Sequence, residues 1–228
     1  MFTKLKEMSK SVLGSLLVVA VAVIAFIGVK ELKVYWFQST SEQKAKERVT
    51  EKVDQEIRSA QSRASAEKSA TEVLVEQSRK NIANTLSSAS TQKQKLVAAS
   101  DIFFGAYFLN TRARAEYCAT LGVPISTFVN TYKQLHQQLF VSAEAIQIVD
   151  FHEHGRKYDI EKFYQLLAPA AKKFVIQDMK DSASSLGMSE KDLCHEFNNN
   201  AVSWVKMMDI RTRAPEVSRL LLQKVSVY

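Results

Sequence analysis

Residues 126–149, STFVNTYKQLHQQLFVSAEAIQIV, decide the fold class. Phe128, Tyr132, Leu135, Leu139, Ala143, Ile146 and Val149 follow one another at steps of 4, 3, 4, 4, 3 and 3. That period holds one face of an α-helix. It does not hold one face of a strand, whose side chains alternate. Leu121-Gly122 and Pro124 precede the run, and His152-Glu153-His154-Gly155 closes it.

The helical period continues on both sides. Upstream, a helix from about Leu96 to Thr120 carries Phe103, Phe104, Tyr107, Phe108 and Tyr117 and stops at Gly122, a helix-ending residue. Downstream, a third helix opens after Asp159, a good N-cap, with Ile160, Phe163, Tyr164 and Leu167. Pro169 is expected to break or restart it before Ala171, Phe174, Val175 and Met179 carry the face to Leu186-Gly187. A fourth helix opens at Ser189, where Ser-x-x-Asp192 resembles a capping box, and carries Leu193, Phe197, Ala201, Trp204, Val205 and Met208. The last begins at Pro215-Glu216 with Leu220, Leu221, Leu222 and Val225. Six Gly and three Pro in 228 residues are too few for the turns of a sandwich or barrel. The expected class is all-α, with residues 96–228 forming a four- or five-helix bundle around one core.

Further upstream the composition changes. Between Gly28 and Gly105 there is no Gly and no Pro, and between Phe37 and Phe103 no aromatic residue. A thin stripe of Ala45, Val49, Val53, Ile57, Ala60 and Ala64 steps by 4, 4, 4, 3 and 4. Ile82, Leu86, Ala89, Lys93 and Leu96 repeat that spacing. Residues 30–95 therefore read as a helical stalk or coiled-coil-like linker. A single helix from 30 to 104 would reach about 110 Å. Ser87-Ser88-Ala89-Ser90 is its weak point. The small seam residues make a solvated stalk the plain reading and homo-oligomer formation through the stalk the sharper one.

Residues 11–29 read SVLGSLLVVAVAVIAFIGV, without a charge. At about 1.5 Å per residue they span roughly 28 Å, close to a bilayer's hydrocarbon thickness. Lys10 precedes the stretch, Lys30 and Lys33 follow it, and Tyr35 and Trp36 resemble an interfacial aromatic belt. The expectation is a single transmembrane helix retained as a signal-anchor, because Ala20-Val21-Ala22, the small-residue cleavage-like site, lies inside the apolar run. Residues 1–10 then form a cytoplasmic tail, and the bulk of the chain faces the other side, as in a single-pass bacterial inner-membrane protein with its domain in the periplasm.

The formal net charge is +7. Residues 1–100 carry +6 of it and residues 101–228 only +1, so the helical domain lacks the basic footprint of a nucleic-acid binder. The two cysteines, Cys118 and Cys194, both lie in that domain. Outside the cytoplasm such a pair is expected to be oxidised, stapling the first domain helix to the fourth.

Other candidates point to chemistry more weakly. His152-Glu153-His154 supplies three metal-type ligands in a loop, although a site needs converging ligands from elsewhere. Cys194-His195 are adjacent, but consecutive helical side chains diverge by about 100° and do not form a nucleophile–base pair. Arg112, Arg114, Arg211 and Arg213 form two Arg-x-Arg pairs able to meet an anion or an acidic partner. Asn198-Asn199-Asn200 and the aromatic cluster at 103–108 read as structural. No GxGxxG, Walker loop, HExxH or GxSxG is present. The reading is therefore no enzyme, no cofactor, no metal and no nucleic acid. It is a structural or interaction component of a cell-envelope assembly of secretion, conjugation or pilus type, contacting the lipid bilayer and other envelope proteins. The alternative is a periplasmic ligand-binding or sensor module that works with a separate signalling partner.

Overall fold

The computed structural model describes residues 42–65 and 70–223. Among the described residues the chain forms eleven α-helices, one π-helical turn and no strand. They are α1 (Glu42–Arg63), α2 (Ala70–Ser88), α3 (Gln92–Phe108), the π turn (Leu109–Ala113), α4 (Arg114–Thr120), α5 (Ser126–Leu135), α6 (Gln137–Glu153), α7 (Ile160–Leu186), α8 (Glu190–Asn199), α9 (Ala201–Met207), α10 (Ile210–Arg213) and α11 (Pro215–Leu222).

The central helix is α3. From Leu96 to Phe108 every residue but Ala98 is buried, as a helix apolar on all sides requires. It packs against α6 and α11, and its continuation through the π turn and α4 packs on α7. Its aromatic side chains organise the core. Phe104 meets Phe140, Tyr158 and Phe163, while Phe108 meets Phe163 and Tyr164. Phe197 links Phe128 to Trp204 across α5, α8 and α9.

The helix ends follow the local chemistry. Asp159 accepts from the amides of Glu161 and Lys162, and Ser189 accepts from that of Asp192. Gly187 closes α7 at φ +63° and Gly122 follows α4 at φ +76°, backbone that a side chain would strain. Pro215 occupies the first turn of α11.

The five expected domain helices acquire breaks that periodicity does not show. The first carries the π turn, the second pauses at His136 between α5 and α6, and the fourth pauses at Asn200 between α8 and α9. The expected break at Pro169 is absent, since α7 runs 27 residues through it. Buried Leu166, Leu167, Ala170 and Ala171 anchor both sides of the proline, so packing offsets its missing hydrogen bond.

Residues 42–88, read above as part of one straight stalk, form two helices instead. α1 packs along α7 and beside α2. Val49, Val53 and Ala60 are buried there, Asp54 pairs with Lys173, and Gln61 meets Gln177. Folding back removes that stripe from water, which a solitary stalk would not do. The Ser87–Ser90 weak point is a real boundary. Thr91 opens α3 with a complete capping box, its hydroxyl accepting from the Gln94 amide while Gln94 Oε1 accepts from the Thr91 amide. Among the described residues no helix is long and apolar enough to cross a membrane. The expected span at 11–29 and its flanks Lys10, Lys30, Lys33, Tyr35 and Trp36 lie outside the described residues.

Candidate functional site

Cys118 on α4 and Cys194 on α8 are fully buried and stand at disulfide distance, with Cα atoms 5.7 Å apart. His195 turns outward to solvent, as the 100° step between neighbours requires. One turn before Cys118, Arg114 is also fully buried. Its Nη2 lies 2.8 Å from Asp178 Oδ2 on α7, and its guanidinium sits 5.0 Å over the Phe197 ring on α8. Burial raises the Asp178 pKa, against the pull of Arg114.

From Arg114 a chain of polar groups crosses the apolar interior. Arg114 Nε donates to Asn110 Oδ1 in the π turn, and Asn110 Nδ2 donates to the Tyr132 hydroxyl. The Tyr132 ring packs on His136, centroids 4.2 Å apart. His136 Nδ1 lies 3.0 Å from the Tyr132 carbonyl, so Nδ1 carries the hydrogen. Nε2 then accepts from the Ile210 amide at 3.2 Å. Asp209 Oδ1 is also 3.2 Å from Nε2, but Asp209 is held by the Arg211 fork, with contacts of 2.8 to 3.0 Å. Burial lowers the His136 pKa, outweighing the raising effects of the Tyr132 carbonyl and Asp209. Burial raises that of Asp209, yet the Arg211 hydrogen bonds carry it below the usual carboxylate range. The chain pins α7, α5, α6 and the α9–α10 corner to one another.

An open cleft of about 700 Å³ lies where the end of α2, the first half of α3 and the end of α6 meet. Asp101 on α3 and Asp150 on α6 contribute to its wall although both are nearly buried. Gln147, one turn before Asp150 and fully buried, donates to Asp101 Oδ1 at 2.6 Å and to Ser100 Oγ at 3.0 Å. Ser100 in turn donates to the Ala143 carbonyl. His154 also lines the cleft and donates from Nδ1 to the Asp150 carbonyl at 2.6 Å. Lys93, on the opposite side, is ion-paired with Glu153. Two carboxylates at low solvent exposure favour a small cation over an anion, because an anion would meet like charge in a poorly screened place. Neither a nucleophile beside a base nor a phosphate cradle lines this wall.

The outer face of α6 is the other notable surface. Val141 and Ile148 are 59% and 51% exposed, seven residues and therefore two turns apart on one face. Ile148 borders a shallow groove lined also by Glu144, Arg156, Lys157, Tyr158 and Lys162. Burial, with Glu144 and Asp101 nearby, raises the Tyr158 pKa, so its hydroxyl stays neutral.

The four arginines do not converge. Arg112 pairs with Glu161 and lies over the Tyr164 ring, Arg114 is the buried partner of Asp178, Arg211 holds Asp209, and Arg213 donates to the Met207 carbonyl. Of His152-Glu153-His154, only His154 lines the cleft, while Glu153 pairs with Lys93. Among the described residues no group of three or more His, Cys, Asp or Glu side chains is placed to hold a metal ion. Asn198 Oδ1 accepts from the Thr127 amide and so caps α5 from another helix. Asp101, Gln147 and Asp150 were not singled out by sequence reasoning. The available signal was a polar residue in core phase: Ala143, Gln147 and Asp150 step by 4 and 3 along the buried face of α6. Compared with known protein families, curated proteins and solved structures, the chain matches none.

Proposed function

We propose that this chain is a membrane-anchored, extracytoplasmic helical protein that binds other envelope proteins as a structural component of a secretion-, conjugation- or pilus-type assembly. The observation that carries the reading is the buried Cys118–Cys194 pair at disulfide distance, taken with the uncharged stretch at 11–29. Disulfides persist in oxidising compartments, and that stretch has the length to hold the chain at the boundary of one. The exposed Val141–Ile148 row beside the groove supports contact with protein partners, since exposed apolar patches mark such surfaces. An anchor confines the domain to a plane and raises its effective concentration for neighbours there. The test is a cysteine placed at the exposed Ser185 and labelled with an impermeant maleimide, alongside extraction of the membranes with carbonate. Labelling of spheroplasts without lysis, with the chain retained in the membrane pellet, is the expected result. Labelling only after the inner membrane is opened, or release by carbonate, overturns the reading.

The cleft favours a second reading, a ligand-binding or sensor module for a small polar cation. Its support is the pair of low-exposure carboxylates, Asp101 and Asp150, on facing helices. Titration with a panel of amines and divalent cations, followed by thermal shift, tests it. The expected signature is a shift that the Asp101→Asn, Asp150→Asn double variant loses. No shift with any member of the panel removes this reading.

A further inference from the structure

We propose that the outer face of α6 docks an amphipathic helix of another protein, one that carries an aliphatic row and has acidic residues at the end lying over Arg156 and Lys157. The inference rests on the reading of the chain as a binding component, not on its compartment, and names the chemistry of the partner. Leu139, Ala143, Gln147 and Asp150 turn the other face of α6 into the core. Val141, Ala145 and Ile148 are exposed at steps of 4 and 3, so they form one outward row about 10 Å long. Exposed aliphatic side chains are ordinary when they stand singly, as Ile176, Val202 and Leu222 do on α7, α9 and α11. A row in helical phase is what a partner helix covers, and the small Ala145 at its middle lets two helix axes approach closely.

The charges beside the row select what covers it. Gly155 follows α6 at φ +66°, and the Arg156 amide donates to the Phe151 carbonyl at 2.9 Å, which fixes Arg156 and Lys157 in the groove that Ile148 borders. Both are exposed, and neither side chain pairs with a carboxylate among the described residues, whereas Lys93, Arg112, Lys172 and Lys173 all do. The dipole at the end of α6 accounts for cations there but not for the aliphatic row that leads to them. Arg156, Lys157 and Lys162 stand in this groove against Glu144 and Asp159, three cations to two carboxylates, and Asp159 is held as the cap of α7. A second copy of this chain docked by the same face would bring the same positive excess. An anionic bilayer would attract the cations but press Glu144 and Asp159 against lipid phosphates, and the row has no aromatic anchor. A helix with its carboxylates confined to one end avoids that clash. Its aliphatic residues cover Val141, Ala145 and Ile148 while its carboxylates meet Arg156 and Lys157. Laid antiparallel to α6, it brings its first turn there, where acidic residues are most favourable.

The test places the photoreactive residue p-benzoylphenylalanine at the position of Ile148 in the full-length chain, in the cells that make it, with the same residue at the exposed position of Ser185 as control. Irradiation is expected to give one dominant crosslink. Its partner peptide, sequenced by mass spectrometry, should show aliphatic residues at helical spacing with Asp or Glu in excess at one end. Arg156→Glu together with Lys157→Glu should lower that crosslink about tenfold, and Ala145→Arg by at least as much. An unchanged thermal midpoint shows that the surface variants keep the fold; if Ala145→Arg shifts it, the charge reversal alone decides. A crosslink to a second copy, to lipid or to a peptide without that pattern overturns the proposal. So does a yield no higher than at Ser185, or one that survives the charge reversal. The maleimide labelling reads the compartment separately: a chain that faces the cytoplasm removes the envelope reading and leaves this crosslink expected, whereas labelling as expected with no crosslink removes the docking face alone.

Discussion

The α3–α11 body and the α1–α2 pair are both helical, yet different forces hold them. The body is pinned by aromatic rings in contact across four helices, by the Cys118–Cys194 pair and by Arg114 with Asp178. The α1 seam buries the aliphatic side chains Val49, Val53 and Ala60, and its polar contacts include Asp54 with Lys173, Gln61 with Gln177 and Arg63 with Gln77. Gly122, Gly155 and Gly187 hold three turns of the body at positive φ, and the Thr91–Gln94 capping box opens α3. The lesson is that two regions of equal helicity can differ widely in how uniquely their sequence determines their placement.

The largest test of that contrast is removal of the sulfur link. Cys118→Ser with Cys194→Ser should lower the unfolding free energy by about 4 kcal/mol, since the pair closes a loop with a sequence separation of 76 residues. Urea unfolding read by far-UV circular dichroism measures it, and a loss under about 1 kcal/mol would mean the body does not depend on the link. Next is Arg114→Met, which strands a buried Asp178 carboxylate and should cost about 3 kcal/mol or more. Adding Asp178→Leu should recover part of that loss. If the double variant is worse than the single, the pair stabilises the body in a way its burial does not explain.

A smaller effect is set by pH. His136 is held neutral in the folded body, with its pKa below the unfolded value of about 6.5. As pH falls below that value the unfolded chain takes up a proton that the folded one refuses. Stability is therefore full above pH about 6.5 and declines on acidification, by at most about 1.4 kcal/mol per pH unit. Thermal melts across pH 5–8, compared with those of His136→Gln, check this, and parallel slopes in the two proteins would place the acid sensitivity elsewhere. The smallest effects belong to the α1 seam. Val53→Ala should weaken α1 docking by about 1 kcal/mol and Lys173→Ala by about 0.5 kcal/mol or less. Both should appear as faster amide exchange in α1 with the urea midpoint of the body unchanged. A shift of that midpoint would show that the two regions unfold together.

Much of the helical order was legible because it is written in local chemistry. Asp159, Ser189, Gly187, Gly122 and Pro215 mark the boundaries where the structure has them. Pro169 misled because its local penalty is overcome by burial on both flanks, which no window of sequence shows. The Thr91–Gln94 capping box was readable and explains the boundary at the Ser-rich weak point. The available signal for a new helix at α2 was Ser69-x-x-Glu72, a capping-box spacing inside an otherwise unpunctuated polar run. The cysteine pair was foreseeable from compartment and count. Its buried neighbour Arg114 was noticed as half of an Arg-x-Arg pair, whereas its phase, four residues after Asn110 and four before Cys118, is what places it in the core. Asp101, Gln147 and Asp150 stayed hidden for the same reason: polar side chains in core phase count against a hydrophobic stripe until the facing helix supplies their partners.

The π turn at Leu109–Ala113 bears on how this chain tolerates changes in length. Arg114 donates its amide five residues back, to the Leu109 carbonyl, so the turn holds one residue more than an α-turn does. Losing one codon inside it would let the ordinary spacing close while Arg114 and Cys118 keep their bearings. Losing one codon earlier in α3 would swing both by about 100° and carry the Cys118 sulfur away from its mate. The bulge is thus a slack link in an otherwise taut stretch, a place where a deletion can be absorbed without disturbing what lies beyond.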